Sequence, residues 1–196
     1  MQMAEKLQSG TAEESTDPRV MRSRRMLMDA LARLLDQKEF DAISIQEIAD
    51  GATLNRATFY LHYPDKNALL QAMTAARFRD LIARRGLSFT NCEGALRAIA
   101  LGVCDYLADS TGCPGQLAKM PLEGSIIPVV EGMFLEGAAN HAMAPGVDPK
   151  LLATTAAWAI FGAARRWHQT PDRIPAEEMA GKIEVMVRPI FLSASA

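Results

Sequence analysis

Residues 43–66 read ISIQEIADGATLNRATFYLHYPDK and decide the fold of this chain. Ser44 and Glu47 have the spacing of a capping box, which predicts that a short helix begins there. Gly51 ends this helix, and Asn55 can cap a second one after a tight turn. Two short helices joined in this way predict a helix-turn-helix, whose second helix lies in the major groove of DNA.

The helix predicted after Asn55 has an apolar side and a polar side. Phe59 and Tyr63 are four residues apart, so both are expected to face the core. The remaining side chains are too polar to be buried together, and we expect them at the surface: Arg56, Thr58, Tyr60 and His62. This edge is the one that a helix-turn-helix would present to a duplex.

The rest of the chain predicts an all-α protein of about nine helices. Asp17 can cap a first helix that begins at Pro18, after an acidic arm (residues 1–17) that we expect to be disordered. A long helix is expected from Pro64 to about Arg85. Glycine and proline separate the later ones, which are expected near 91–109, 115–119, 122–142, 148–168 and 175–193.

Composition narrows the class of protein. The chain is 49% hydrophobic and 22% charged, which is typical of a globular protein. It has no apolar stretch long enough for a membrane span and no signal segment at its N-terminus, so we expect a soluble cytoplasmic protein without a membrane partner.

A net charge of −2 does not exclude DNA, because phosphate binding needs only a local positive surface. Four arginines fall within seven residues of the first helix: Arg19, Arg22, Arg24 and Arg25. Such a cluster is either a solvated helix face or a set of backbone contacts, and a neighbouring helix-turn-helix favours the second interpretation.

Enzymatic chemistry is not predicted. Cys92, Cys104 and Cys113 lack the spacing of a zinc site and are expected to be buried, inert thiols. The histidines have no metal-ligand spacing, and there is neither a glycine-rich phosphate loop nor a nucleophile motif. We therefore expect no metal, no cofactor and no catalysis. Besides an enzyme, the alternative to a DNA-binding protein is a helical interaction module whose helix-turn-helix contacts another protein.

The run IADGATLNRATFYLHYPDK resembles the signature of tetracycline-repressor-like (TetR family) transcriptional regulators. The matching elements are Ile48–Ala49, Thr58 with Tyr60, His62–Tyr63 and Lys66. The resemblance covers about residues 20 to 75, and the remainder is similar only in length and helical layout. One position departs, since the family usually has glycine where this chain has Thr53. A β-branched residue resists positive φ, so the turn is either built differently or strained.

This resemblance implies roles in DNA binding. Arg56 would reach a guanine edge with two hydrogen bonds, and Gln46 would approach a base. Thr58 offers a hydroxyl to phosphate and a methyl to thymine, and Ser44 would place a helix N-terminus on the backbone. Phosphate anchors would be Tyr60, His62 and Lys66. The whole expected set is Ser44, Gln46, Asn55, Arg56, Ala57, Thr58, Tyr60, His62 and Lys66.

The resemblance also implies two domains: a helix-turn-helix DNA-binding domain (18–66) and a larger ligand-binding and dimerisation domain (67–193). The last two helices would form a four-helix bundle with a second copy, through Trp158, Phe161, Gly162, Arg165, Met186 and Ile190. An effector pocket would have as walls Met73, Phe78, Leu96, Val103, Tyr106, Leu107, Met120, Ile126, Val130, Met133 and Phe134. Ordinary core packing would explain these pocket and interface residues equally well.

The expected partners are thus a double-stranded DNA operator, an unknown small-molecule effector and a second copy of the chain. The resemblance favours a repressor, released from a palindromic operator when the effector binds. Binding would tilt the long fourth helix and change the distance between the two recognition helices.

Overall fold

The computed structural model describes residues 17–86, 92–109, 120–138 and 148–192, and within these ranges the chain is helical without strands. This confirms the predicted fold class. Eight α-helices are described: α1 (Pro18–Gln37), α2 (Ile45–Gly51), α3 (Arg56–His62), α4 (Lys66–Arg84), α5 (Cys92–Asp109), α6 (Leu122–Ala138), α7 (Pro149–His168) and α8 (Ala176–Leu192). A 3-10 helix spans Phe40–Ala42. The helix expected at 115–119, the acidic arm before residue 17 and the last residues of the helix expected over 122–142 lie outside the described ranges.

The first four helices begin at local capping residues. The Asp17 carboxylate accepts a hydrogen bond from the Arg19 amide at 2.8 Å, and Pro18 is the first helical residue. Ser44 and Glu47 form the predicted reciprocal capping box. Asp65 accepts from the Ala68 amide at 2.8 Å and starts α4. These caps satisfy amides that have no acceptor inside the helix, so the boundaries follow from local chemistry.

The turn between α2 and α3 is strained at Thr53. Its φ is 55°, in the left-handed region that glycine adopts without cost. The following amide, of Leu54, donates to the Ala49 carbonyl at 2.9 Å and closes the turn. Of the two alternatives drawn from the sequence, the chain therefore keeps the left-handed turn and bears strain of about 1–3 kcal/mol.

A first core joins α1, the 3-10 helix, α2, α3 and the beginning of α4. Twelve buried side chains form it: Leu27, Ala30, Leu31, Leu35, Phe40, Ile43, Ile48, Ala52, Phe59, Tyr63, Leu69 and Leu70. We call these helices the small domain. Since Leu69 and Leu70 belong to α4, the packing of the small domain continues past the expected boundary at residue 66.

The second core lies among the rest of α4 and α5–α8, which we call the large domain. Phe78 and Ile82 carry α4 into it. Gly102 lets α5 approach α4 closely, because a Cβ at residue 102 would lie 3.2 Å from the Cδ1 atom of Ile82 on α4. Helix α4 is thus shared by both cores, and only residues 63–65 separate it from α3.

The C-terminal end of α4 is held by a charged cluster. The Arg85 guanidinium donates two hydrogen bonds of 2.7 Å to the Asp105 carboxylate on α5 and also pairs with Glu177 on α8. These partners raise the pKa of Arg85 further above its usual value. Position and angle of α4 therefore depend on its contacts with both α5 and α8.

No helix within the described ranges is both long enough and apolar enough to cross a membrane.

Candidate nucleic-acid interface

Helix α3 packs through one side and exposes the other. Phe59 and Tyr63 are buried in the small domain, as predicted. Arg56, Ala57 and Tyr60 are exposed, whereas Thr58 and His62 are half-buried at the borders between the two sides. The outward side of α3 is therefore an open surface that no other part of the described chain covers.

Arg56 and Tyr60 form one ridge of this surface. They are one turn apart, and the Arg56 Nη2 donates a hydrogen bond of 3.2 Å to the Tyr60 Oη. The guanidinium carbon lies 5.7 Å from the centre of the Tyr60 ring, and that ring rests edge-on against the buried Phe59. These contacts support the exposed Arg56 side chain through Tyr60, and the guanidinium has further N–H donors beyond the one that Tyr60 accepts.

Ala57 and Leu61 form a second ridge beside the first. Leu61 is 81% exposed, the highest value for any large apolar side chain in the described ranges. The DNA-contacting set expected from the sequence does not include Leu61. The available signal was its position, four residues after Ala57 on the side opposite to Phe59.

The other polar residues expected to contact DNA lie around α3. Asn55 Oδ1 accepts hydrogen bonds from the amide and the hydroxyl of Thr58, at 2.7 and 2.9 Å, so this cap also orients Thr58. Gln46 is exposed on α2, where its amide donates to Asp50 Oδ1 at 2.8 Å. Ser44 is exposed at the start of α2. Ser44, Gln46 and Asn55 are thus exposed polar residues on α2 and at the start of α3.

The Lys66 ammonium hydrogen-bonds to backbone groups of the protein itself. Its ammonium donates to the carbonyl oxygens of Phe40, Asp41 and Ile43, at 3.0, 3.1 and 3.0 Å. It also lies 4.7 Å from the centre of the Phe40 ring. An ammonium has three N–H donors, so these carbonyls can engage all of them. The sequence pattern placed Lys66 among the phosphate anchors, whereas here it joins α4 to the segment before α2.

His62 differs from a simple cationic contact. Partial burial lowers the pKa of His62 below 6.5, and the positive charge of Arg24 lowers it further. The lowered pKa favours the neutral imidazole, which can offer a phosphate one N–H donor. Arg24 is itself half-buried, whereas Arg19, Arg22 and Arg25 of the N-terminal arginine cluster are exposed.

Apolar side chains are exposed on α7 and α8 of the large domain. Trp158 and Met186 are 52% and 59% exposed, and Leu151 and Val185 are also open. Gly162 and Arg165 are exposed on the same helix as Trp158, and Arg165 pairs with Glu123 of α6.

Two residues expected at the dimer interface lie further inward. Phe161 is only 2% exposed, because it packs in the core of its own subunit. This burial contradicts the predicted role of Phe161 as an interface residue. Ile190 is partly buried against the same core.

Most residues expected to line an effector pocket lie in the large-domain core. Tyr106 stacks on Phe78 with 5.3 Å between ring centres, and the Arg77 guanidinium carbon lies 5.6 Å from the Tyr106 ring centre. Met73 and Met120 pack instead against the small-domain core. Buried in the large domain are Phe78, Leu96, Val103, Tyr106, Leu107, Ile126 and Val130, with Met133 and Phe134 partly buried beside them.

The described residues offer little to redox or metal chemistry. Cys104 is buried, and burial together with the charge of Asp105 raises the pKa of its thiol to about 12. Such a thiol is a poor nucleophile and a poor metal ligand. Cys113 and the side chain of Cys92 lie outside the described part. No group of three His, Cys, Asp or Glu that could hold a metal occurs among the described residues.

Comparison with known proteins agrees with this geometry. The family model described as "Bacterial regulatory proteins, tetR family" matches residues 27–73, which span α2, α3 and the beginning of α4. The HTH-type transcriptional regulator EthR of Mycolicibacterium smegmatis is 28% identical over 200 residues, which cover 95% of this chain and 84% of that protein. The uncharacterized HTH-type transcriptional regulator YxbF of Bacillus subtilis is 37% identical over 103 residues, covering 52% and 27% of the two chains.

Solved structures support the fold over most of the chain. A TetR-family regulator from Streptomyces coelicolor A3 superposes with a TM-score of 0.62 at 16% identity, covering 88% of this chain and 96% of that one. A TetR transcriptional regulator from Streptococcus agalactiae 2603V gives 0.51 at 17% identity, covering 87% and 96%. At these identities the likeness concerns the fold alone.

Proposed function

Because this chain belongs to the TetR family of bacterial regulatory proteins, we propose that it is a dimeric repressor that a small-molecule effector releases from a palindromic operator. The transcriptional regulators of this family are typically DNA-binding repressors. The finer proposal concerns how this particular chain would contact its operator, pair with a second copy and respond to an effector.

One observation carries the proposal: the outward side of α3 has the shape and chemistry of a recognition helix. It is short, firmly packed through Phe59 and Tyr63, and open on the side of Arg56 and Tyr60. Arginine is the residue that most often reads guanine, through the O6 and N7 atoms of its major-groove edge. Ser44, Gln46, Asn55, Ala57, Thr58, Tyr60 and His62 surround Arg56 as further proposed contacts.

A second copy is proposed to pack on the exposed faces of α7 and α8. One module of this size covers only half of an operator, so two recognition helices about 34–36 Å apart are needed. Trp158 and Met186 are the proposed centre of the interface, because aromatic residues and methionine are enriched at protein interfaces and both side chains are exposed here. Gly162, Arg165 and Ile190 flank them.

Helix α4 is the proposed connection between an effector and DNA. The small-domain core holds its beginning through Leu69 and Leu70, and Lys66 ties it to the segment before α2. Arg85 fixes its other end to α5 and α8. A rigid helix held at both ends would carry a movement of the large domain to α3 through the three residues between them.

An effector is proposed to enter among α4, α5 and α6, where the expected pocket residues lie. An apolar environment with the ring of Tyr106 favours a largely apolar molecule with a polar group. A ligand that prefers one α4 position by about 1–3 kcal/mol would change operator affinity some 5- to 150-fold.

Selection of bound fragments from a random DNA pool tests the proposal. The expected product is a palindrome whose two halves lie one helical turn apart. Arg56→Ala should then cost about 1–3 kcal/mol and relax the preference at one base pair of each half-site. If no sequence is enriched, or if the loss is equal at every base pair, the assignment of α3 as the reading element is wrong.

The dimer has its own test. Trp158→Glu should give monomers in sedimentation at micromolar concentration and abolish binding to the full palindrome. Leu135→Glu, at an exposed leucine of α6 (36% exposed), is the matched control and should leave the dimer intact. A wild-type protein that sediments as a monomer would refute the half-site argument.

A helical interaction module is the main competing function. It would bind no DNA with a salt-dependent affinity, whereas the proposed repressor should lose affinity steeply as salt rises.

A further inference from the structure

We infer that Leu61, together with Ala57, reads thymine through its 5-methyl group and so acts as a second specificity determinant beside Arg56. This inference rests on the proposed function, since it concerns which base α3 would read. It adds a residue that neither the sequence pattern nor the chemistry of hydrogen bonding would select.

The first argument is exposure. Leu61 is 81% exposed on a helix whose other large apolar side chain, Phe59, is fully buried. Compared with a buried leucine, an exposed leucine lacks the favourable free energy of burial, which is about 0.8 kcal/mol for each CH₂ group. A bound partner that covers it would recover that free energy, and Leu61 lies on the surface proposed to enter the duplex.

The second argument is position within the ridge. Ala57 and Leu61 are one turn apart, so their side chains lie about 6 Å apart along the helix axis. Base pairs are stacked about 3.4 Å apart, so this apolar ridge would span roughly two base pairs. The Arg56–Tyr60 ridge beside it would face different atoms of the same stretch. One face thus carries a hydrogen-bonding ridge and an apolar ridge in parallel.

The third argument is chemical complementarity. The major groove offers hydrogen-bond donors and acceptors on all four bases, but only thymine presents a methyl group there. Ala57 has a methyl and Leu61 an isobutyl group, and neither has a polar atom. Neighbouring donors on Arg56 and His62 favour DNA over an apolar protein surface, which would leave those donors without acceptors. A thymine is therefore the occupant to which we commit.

Deoxyuridine substitution tests the inference, because uracil differs from thymine only by lacking the 5-methyl group. Each thymine of the operator obtained by selection is replaced in turn, and the Kd of the full-length protein is measured for each duplex. At one or two positions per half-site, wild-type protein should bind about fourfold more weakly to the uracil duplex, which is the value of one buried methyl group. Thymines outside those positions should be insensitive.

Two variants assign the effect to the side chain. Leu61→Ala should bind thymine and uracil duplexes equally at one of these positions, the one that Leu61 covers. Leu61→Met should keep the discrimination there because it keeps the apolar volume. Leu135→Ala, at the exposed leucine of α6, is the matched control and should preserve both the wild-type affinity and the wild-type ratio. Since Leu61 and Leu135 are both exposed, all three variants should unfold at the wild-type temperature.

The outcomes separate this inference from the proposed function. Sequence-specific binding that is insensitive to uracil at every position would overturn the inference and leave the repressor proposal standing, with a protein partner as the remaining occupant of Leu61. A thymine-to-uracil ratio that Leu61→Ala leaves unchanged would also overturn it. Failure to select any operator would instead refute the proposed function.

Discussion

Replacing Lys66 by methionine distinguishes two roles for a residue that the family pattern associates with DNA. Methionine keeps the length and apolar stem of the side chain but removes the ammonium group. The carbonyls of Phe40, Asp41 and Ile43 would then lose the donor that now joins them. We expect a less stable small domain and a looser attachment of α4.

The magnitude follows from the contacts. A hydrogen bond to a charged group contributes about 1.5–3 kcal/mol, and the cation over the Phe40 ring adds about 0.5–1 kcal/mol. The three bonds share one partly exposed ammonium, so their contributions do not add fully. Lys66→Met should therefore lower the free energy of unfolding by about 2–3 kcal/mol.

Urea unfolding followed by far-UV circular dichroism measures the loss, and amide hydrogen exchange over residues 40–45 locates it. Operator binding at several salt concentrations supplies the second readout. The slope of log affinity against log salt should stay the same in Lys66→Met, because no phosphate contact is removed. Lys182→Met is the control: its ion pair with Glu178 is exposed, and the change should be within about 0.5 kcal/mol.

A phosphate anchor would behave in the opposite way. If Lys66→Met keeps wild-type stability while the salt slope falls by about one, Lys66 binds DNA and the internal hydrogen bonds are not its main role.

Three further predictions concern the turn, the capping box and the end of α4. Thr53→Gly should stabilise the protein by about 0.5–1 kcal/mol in urea unfolding, because relief of left-handed strain exceeds the added entropy of the unfolded chain; a destabilised variant would show that the turn is not strained. Glu47→Gln should reduce stability above pH 4.5, and this deficit should vanish as pH falls towards 2. The reason is that Lys38 and Ser44 lower the pKa of Glu47 from 4.5 to about 2, so its contribution requires an ionised carboxylate; a deficit independent of pH would contradict this. Arg85→Met should lower the free energy of unfolding by about 1 kcal/mol and increase hydrogen exchange in the last turn of α4, since its partner Asp105 is only 13% exposed. Arg84→Met, which breaks an exposed pair with Asp80, should change neither quantity. Equal effects in the two variants would show that Arg85 does not anchor α4.

Helix boundaries and the orientation of α3 could be predicted because they depend on neighbouring residues. The caps at Asp17, Ser44 and Asn55 use side chains and amides two or three positions apart. The spacing of Phe59 and Tyr63 likewise determines which side of α3 is buried. Such local signals are visible in the sequence before any tertiary contact is known.

Contacts between distant residues could not be predicted in the same way. Lys66 meets carbonyls 23 to 26 residues away, and no local pattern specifies that meeting. Phe161 lies on the inner side of α7, although Trp158 on the same helix is exposed. Met120 packs against the small domain although it follows the large-domain helix α5 in the chain. Each depends on how whole helices pack, which hydrophobic periodicity does not determine.

The two-sided construction of α3 has an evolutionary consequence. Side chains that hold the helix in place are separate from those that face outward, so a mutation at residue 57 or 61 alters neither Phe59 nor Tyr63. If α3 reads DNA as proposed, duplicated genes built on this scaffold would acquire new operators through single outward substitutions while retaining an intact hydrophobic interior. Divergence of regulons would then proceed one base pair at a time, without a loss of stability at each step.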